Sequence, residues 1–285
     1  MFVTQIGEVS ASATTPLYRD PLIRGGAVKF AFDLSFNYSW PGAATPLDGA
    51  VIYDMSDNGN GEVDIIAGQS VAYAGGGFDF NGLTNDPVVV KAPVGCLASI
   101  WGDGIVDTQH FLVSGIMKFP SSSDWNTIST IAPLFCTSTN LYTTEADMVT
   151  ISYRDATRLS ARRQTNGSST VNELTITATA NIFGQVGQWG YWRTAAGTGL
   201  RIKTALGELI ATGAAGVQNT GDFSAKQPRW GIPEASNRLI DTTAHRNTHK
   251  TRLYSGFVED LASGRTPIDV LDEEWARQVA RGDFS

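Results

Sequence analysis

Two acidic side chains, Glu62 and Asp64, stand two residues apart in the segment Gly61 to Ala67. Side chains at alternate positions of a strand point to the same face, so both carboxylates would lie about 5 Å apart on one surface. At that separation one carboxyl group can act as the nucleophile and the other as the acid in glycoside hydrolysis. This pair is the catalytic candidate, and a solvated boundary between a turn and a strand is the alternative.

The preceding loop places oxygen-bearing side chains at alternate positions, Asp54, Ser56 and Asn58, with Gly59 in sixth place. Calcium loops have this pattern, but they also need a bidentate carboxylate at position twelve, which here is Ile65. Asx turns use the same residue types, because the side-chain oxygen accepts a backbone N–H bond two residues on. We expect a turn and no metal site, with a weak calcium-like loop as the alternative.

Aromatic side chains are the candidates for ligand binding, since their ring faces can stack on a sugar ring. Five are singled out, three in one strand-like run and two in turn-rich stretches: Trp189, Tyr191, Trp192, Trp101 and Trp125. Alternation in the run puts the first two on one face of the strand and the third on the other. Both faces therefore need cover, from the core, from a ligand or from another subunit.

The remaining reactive residues show no spacing of a known centre. The histidines are His110, His245 and His249, and no Glu follows His245 as a zinc protease would require. Cys96 and Cys136 lack a zinc-binding pattern. We expect two buried free thiols, with a disulfide as the alternative, and no cofactor, because phosphate-loop and dinucleotide-binding motifs are also missing from the sequence.

The composition restricts the class of protein. The chain has 285 residues, 42% apolar and only 17% charged, so excess charge cannot keep it unfolded. Its net charge of −7 disfavours nucleic acid and anionic lipid as partners. No window approaches about 18 apolar residues, and the first eight residues lack the basic start of a signal peptide. We expect neither a membrane span nor a signal peptide.

The elements that would position these residues are mostly strands. Val28 to Phe36 alternates large apolar and small or polar residues, so Val28, Phe30, Phe32, Leu34 and Phe36 should face a core. Further strand-like runs are 111–119, 148–153, 174–178, 188–193, 200–203 and 252–258, separated by glycine-rich turns. Many short strands between such turns predict an all-β antiparallel sandwich or barrel.

One C-terminal α-helix is predicted over residues 267–281. Thr266 can cap it, Pro267 suits its first position, and Gly282 can end it. Four apolar residues recur at helical spacing, Ile268, Leu271, Trp275 and Val279, and the helix should lie on the sandwich by the first three of them.

Residues 1–26 differ from the rest, because Thr, Ser, Ala and Pro dominate and no alternation is sustained. We interpret them as an extended N-terminal arm preceding one domain over residues 27–285, with a frayed terminus as the alternative. The spaced apolar residues that could anchor the arm on a partner are Phe2, Ile6, Leu17, Tyr18, Leu22 and Ile23.

Four segments carry a resemblance to a known family. They are 76–82 with Gly76-Gly77-Phe78-Asp79-Phe80, the run 111–118, the pair 187–193 and 200–203, and the ending 252–267. About two thirds of the chain resembles the concanavalin A-like, laminin-G-like jelly-roll domains of structural proteins from tailed bacteriophages. The ending, which is similar to the closing strand and terminal helix of the phage versions, is the most specific part.

The resemblance implies a jelly-roll sandwich and, as function, a non-enzymatic virion component in the capsid, neck or tail. Its partners would be other virion proteins and further copies of itself, with a trimer preferred by analogy, and it would be made in the host cytoplasm. A carbohydrate-binding module for host surface glycan is the alternative. A glycosidase is a weaker one, because the similar β-glucanases carry a second Glu where this chain has Ile66 and Ala67.

Overall fold

The computed structural model describes residues 27–65, 70–80, 88–121, 123–124, 132–137, 148–155, 157–164, 171–177, 182–232, 250–282 and 284. The arm with its six apolar anchors (Phe2, Ile6, Leu17, Tyr18, Leu22 and Ile23), as well as Trp125, His245 and His249, lies outside the described residues.

Sixteen strands and two α-helices are present in the described residues. The strands are β1 (Val28–Asp33), β2 (Val51–Ile52), β3 (Gly61–Ile65), β4 (Ala72–Ala74), β5 (Gly77–Asp79), β6 (Val88–Lys91), β7 (Phe111–Lys118), β8 (Ala132–Cys136), β9 (Thr150–Asp155), β10 (Arg158–Gln164), β11 (Val171–Thr177), β12 (Val186–Thr194), β13 (Gly197–Thr204), β14 (Gly207–Gly213), β15 (Arg229–Ile232) and β16 (Arg252–Asp260). The helices are α1 (Ala98–Trp101) and α2 (Pro267–Arg281), and 3-10 turns cover Pro41–Ala43 and Leu261–Ser263.

The strands form two antiparallel sheets that face each other. The first sheet has the order β14-β13-β12-β7-β16-β5-β4, and β1 also pairs with β16. The second has the order β11-β10-β9-β8-β15-β6-β3-β2. The predicted antiparallel sandwich with one C-terminal helix is confirmed.

Strand β1 shows why alternation predicts the core only in part. Phe30, Phe32 and Leu34 are buried between the sheets, as predicted. The prediction is wrong for Val28 and Phe36. A shift in register between Val28 and Phe30 turns Val28 to the outer face, and Phe36 lies beyond the end of the strand, half-buried against the outer cluster.

The centre of the core is Trp230, which comes from the second sheet. Its ring centroid lies 5.1 Å from that of Phe32 and 5.1 Å from that of Phe135. Its indole N–H donates to the Ser114 carbonyl in the first sheet over 2.9 Å. Gly256 makes room for it, since a Cβ atom there would lie 2.4 Å from the indole nitrogen. The indole thereby bridges the two sheets with its polar atom satisfied.

The two cysteines, Cys96 and Cys136, are buried thiols that are not joined in a disulfide, as predicted. Burial raises the pKa of the Cys96 thiol well above its ordinary value. Among the described residues, no helix is long and apolar enough to cross a membrane.

Strand β12 divides its aromatic residues between two faces, which confirms the predicted alternation. Trp189 and Tyr191 lie in the core between the sheets, whereas Trp192 lies on the outer face. The outer face is covered by helix α2, whose Leu271 packs onto Gly190 and belongs with Trp192 to one buried cluster. The chain's own helix, rather than another subunit, covers this face.

Helix α2 has the predicted bounds, with Pro267 in the first turn and Gly282 in the left-handed conformation at its end. Thr266 precedes it in an extended conformation without a side-chain capping bond. The predicted contact face is confirmed for Leu271 and for Ile268, which packs against the same cluster, and is wrong for Trp275. Trp275 is half-buried and Val279 is exposed, whereas the buried positions are Pro267, Val270, Leu271, Glu274 and Gln278.

A polar network explains this rotation of the helix. The fully buried Asp33 of β1 accepts hydrogen bonds from Arg281 and, over 2.9 Å, from the amide of Gln278. Arg277 lies 3.6 Å from the same carboxylate and donates to Glu274 over 2.5 Å. A buried carboxylate requires such partners, and together they turn the polar side of the helix inward.

A second buried carboxylate, Glu259 of β16, lies under the start of the helix. Burial raises its pKa to about 7, partly opposed by Arg265 at 3.2 Å and supported by the charges of Glu273 and Asp260. The folded protein therefore binds a proton at this site more tightly than the unfolded chain does.

Replacing Phe32 with Ala should lower the free energy of unfolding by about 3 to 5 kcal/mol, because a cavity would open beside Trp230. Phe36→Ala is the matched control and should cost less, since that ring is half-buried and lies over Arg281. Urea denaturation measures both. A loss below about 1 kcal/mol for Phe32→Ala would contradict burial of this face.

The pH dependence of stability should reflect Glu259. Because its folded-state pKa is raised, the free energy of unfolding should fall as pH rises from about 4.5 to about 7, by at most about 3 kcal/mol. Glu259→Gln cannot ionise, so the free energy of unfolding of the wild type minus that of the variant should fall over this range. Denaturation at both ends of the range tests this, and a difference that does not change with pH would count against it.

Candidate functional site

A charged cleft lies at the end of the first sheet where β7 finishes. In the ladder, Arg252 at the start of β16 stands opposite Asp79 of β5 on one side and Lys118 of β7 on the other. Residues directly opposite in neighbouring strands share a face of the sheet, so the three charged side chains form one row. The Arg252 guanidinium donates to the Asp79 carboxylate over 2.9 Å.

Four further residues complete the cleft, which has a volume of about 160 Å³: Phe119, Asp124, Lys250 and Thr251. The Thr251 hydroxyl donates to the Lys118 carbonyl over 2.9 Å, and the Lys250 N–H donates to the Asp124 carbonyl over 3.3 Å. These bonds join the loop after β7 to the segment that enters β16. Phe119 is buried, whereas the side chains of Lys118 and Lys250 are exposed.

The Asp124 carboxylate is held in its charged form. The Ser121 hydroxyl donates to it over 2.5 Å, and this hydrogen bond is the main reason why its pKa lies below the ordinary value. The positive charges of Lys250 and Lys118 act in the same direction. Among the residues that the structure describes, three cations and two carboxylates thus line the cleft.

Such a set of groups can hold a small polar ligand. The carboxylates of Asp79 and Asp124 accept hydrogen bonds, and the lysine and arginine side chains donate them, which is the combination that neighbouring hydroxyl groups need. The volume is smaller than the roughly 300 Å³ at which drug-sized pockets begin, so the cleft suits a ligand about as large as one sugar ring.

The carboxylate pair considered for catalysis lies on strand β3 of the second sheet, whereas the strands of the charged cleft belong to the first sheet. Glu62 and Asp64 share one face, as predicted, and the Lys91 ammonium lies between them, 2.5 Å from Glu62 and 3.3 Å from Asp64. Burial alone would lower the pKa of Lys91, but its bonds to both carboxylates raise it above the ordinary value. Both carboxylates are engaged in this ion-pair cluster.

The loop considered for calcium is a network of Asx turns. The Asp54 carboxylate is buried and accepts hydrogen bonds from the backbone N–H groups of Ala31, Ser56 and Asn58, at 2.7 to 3.0 Å. The Ser56 hydroxyl donates to both of its oxygens over 2.8 Å. These bonds tie the loop to β1. Among the described residues, no group of three or more His, Cys, Asp or Glu side chains is placed to hold a metal ion.

The aromatic candidates are not brought together into one site. Trp189 and Tyr191 are buried between the sheets and Trp192 under helix α2, so a sugar could reach none of these rings without opening the structure. This corrects their assignment as ligand-binding residues. Trp101 is half-buried, with its ring edge-on to Phe223 at 5.3 Å between centroids. Trp125 lies outside the described residues.

The cleft was missed because its residues are far apart in the sequence. Asp79, Lys118 and Arg252 each stand at the end of an apolar strand, where a single charge is ordinary. Only the pairing of β16 with both β5 and β7 brings them into one row. The sequence carries no signal for this pairing, because the pairing depends on the register of the strands.

No protein-family model and no curated protein matches the chain. Among solved structures, it is similar to domain 4 of AbnA, an extracellular GH43 arabinanase from Geobacillus stearothermophilus, in complex with arabinotriose. The identity is 15%, the match covers 86% of this chain and 97% of that domain, and the TM-score is 0.46.

Two phage structures are also similar. The enzymatically active domain of tailspike protein 2 from bacteriophage CBA120 shows 7% identity over 69% of this chain and 28% of its own, with a TM-score of 0.46. The CBM2 module of the evolved Dit of Lactobacillus casei BL23 phage J-1 shows 10% identity over 67% and 79%, with a TM-score of 0.40. The chain spans only 29% of a matched Trypanosoma rangeli sialidase. At these identities the likeness concerns the fold and carries over no function.

Proposed function

We propose that the chain is a non-enzymatic structural component of a tailed-phage or phage-like virion, placed in the capsid, neck or tail and mounted through residues 1–26. The observation that supports this is the closing segment. Its sequence resembles the closing strand and terminal helix of phage jelly-roll domains. In the structure, β16 lies inside the first sheet and leads through a 3-10 turn into α2.

Helix α2 is an integral part of the sandwich in this proposal. It covers the outer face of the first sheet through Leu271, and ion pairs fasten it at both ends. Arg265 bonds Glu259 before the helix begins, Asp272 accepts from Arg201 over 2.6 Å, and Arg281 binds Asp33. Because helix α2 covers this face, the proposal assigns the attachment to other virion proteins to the arm.

The described core begins immediately after the arm. Strand β1 begins at Val28, and the first buried aromatic residue of the core is Phe30. The partners in this proposal are other virion proteins and further copies of the chain, with a trimer as the preferred order. The protein would be made in the host cytoplasm and would reside in the virion.

Deleting residues 2–24 should leave the melting temperature nearly unchanged and abolish incorporation into particles. The physical reason is that the described core begins at Ala27, whereas the apolar anchors of the arm need a partner to bury them. Thermal denaturation and co-purification with particles are the two measurements. A large fall in melting temperature would mean that the arm is part of the sandwich, and normal incorporation would refute the mounting role.

The charged cleft favours a second candidate function, a carbohydrate-binding module that recognises host surface glycan. It presents acceptors and donors around a volume of about 160 Å³ beside Phe119. Its two exposed lysines, Lys118 and Lys250, can be removed without touching the core.

Lys118→Ser combined with Lys250→Ser should weaken binding on a glycan array by about tenfold or more, since two charged donors are lost. The control is Arg158→Ser, which removes an exposed cation of the second sheet that is paired with Asp155. Binding that survives the lysine changes but is lost in Trp101→Ala would move the site to Trp101 at the end of helix α1. An array with no signal for the wild type would reject glycan binding and leave the structural role standing.

A further inference from the structure

The charged cleft carries an excess of positive charge, although the chain as a whole is acidic. Among the described residues, its lining has the cations Lys118, Lys250 and Arg252 and the carboxylates Asp79 and Asp124. The net charge of the chain is −7. At physiological salt, exposed charges more than about 8 Å apart are largely screened, so a ligand in the cleft interacts mainly with the charges that line it.

The excess charge belongs to the two lysines, because Arg252 and Asp79 neutralise each other. Their ion pair is 2.9 Å long and largely shielded, with 18% and 27% of the side chains exposed. In the described part of the chain, the ammonium groups of Lys118 and Lys250 make no hydrogen bond or ion pair. Both lie near Asp124, since their positive charges help to lower the pKa of its carboxyl group. Two ammonium groups thus face one carboxylate.

The carboxylates of the cleft restrict which anion can bind beside the lysines. Both hydrogen bonds that Asp124 accepts from Ser121 go to one oxygen atom, Oδ2. An ionised carboxylate has about four lone-pair sites on its two oxygens, so Asp124 can accept further hydrogen bonds from a ligand. Inorganic phosphate brings mainly acceptor oxygens, which a carboxylate repels. A ligand that suits the whole lining needs a negative charge for the lysines and hydroxyl donors for the carboxylates.

The size of the cleft limits the ligand to one ring. Its volume of about 160 Å³ suits a single sugar unit and leaves no room for a folded peptide segment. In a sugar acid, a carboxylate and several hydroxyl groups are attached to the same ring. This class of molecule therefore has the charge, the donors and the size that the lining requires.

We propose that the charged cleft binds a sugar acid of the hexuronic type, with its carboxylate at Lys118 and Lys250 and a hydroxyl group at Asp124. The inference rests on the second candidate function, glycan binding, and names the class of sugar. Exposed ion pairs are individually weak, so the carboxylate should raise the affinity by about threefold to tenfold and the hydroxyl groups should contribute the rest.

Ligand-observed NMR titrations with four methyl glycosides test the preference for a charged sugar. The glucuronide and the galacturonide carry a carboxylate where the glucoside and the galactoside carry a hydroxymethyl group. At least one acid should bind about threefold or more tightly than its neutral parent. Raising the salt concentration from about 0.05 M to about 0.5 M should weaken binding of the acid more than binding of the parent. Equal affinities of each acid and its parent would overturn the proposal.

Lys118→Gln combined with Lys250→Gln tests the assigned residues. The change removes both charges but keeps a hydrogen-bond donor at each position, so the acid should lose its advantage over the neutral parent. Arg158→Gln is the matched control, because it removes an exposed cation of the second sheet that is paired with Asp155, and the preference should stay. Thermal denaturation verifies folding, and both lysines are exposed. A preference that survives in the lysine variant would overturn the assignment.

Competition with acetate and inorganic phosphate separates a sugar acid from a simple anion. Acetate has the carboxylate without the hydroxyl groups, and each anion should need about tenfold or more of the concentration at which the sugar acid competes. If either anion competes as well as the sugar acid does, the cleft is a general anion site and the proposal is wrong.

The remaining outcomes separate this inference from the proposed functions. A protein that binds acidic and neutral glycosides equally well still binds glycan, and only the class of sugar named here is wrong. A protein that binds none of the four glycosides and gives no signal on a glycan array loses both this inference and the second candidate function. The structural role in the virion depends on residues 1–26 and is unaffected by either result.

Discussion

Two tryptophan rings fill the core between the sheets, and both depend on glycines that leave room for them. Trp189 packs on Gly115 and Trp230 on Gly256, and these two glycines are directly paired in the first sheet. A Cβ atom at either position would lie within 3 Å of an indole ring. Because Gly256 lets Trp230 come close enough to bond the Ser114 carbonyl, this one side chain both fills the core and joins the two sheets.

The fold could largely be predicted because it depends on local patterns. Period-two alternation located β1, β11 and β13, β-branched and aromatic content located β7 and β12, and the Thr-Pro start with a closing glycine located α2. The errors come from long-range interactions. The outward position of Val28 depends on a bulge opposite Val258 and Glu259, and the buried face of α2 depends on the carboxylate of Asp33, which is more than 230 residues away in the chain.

The candidate site could not be predicted for the same reason. Glu62 and Asp64 stand out in the sequence, yet the side chain that accounts for both is Lys91, one strand away in the second sheet. The aromatic residues of β12 stand out as well, but their rings are buried between the sheets or under helix α2. Residue type indicates what a side chain can do, and the register of the sheets decides which partner it meets.

The position of β16 has a consequence for how the protein is made. This strand follows the fifteen other described strands in the chain, yet it lies inside the first sheet and pairs with β1, β5 and β7. While the ribosome is still translating residues 27–251, the first sheet lacks the strand that joins its two sides. The nascent chain must therefore keep its apolar strands from aggregating until translation has passed residue 260, which makes folding a late step with many non-local contacts.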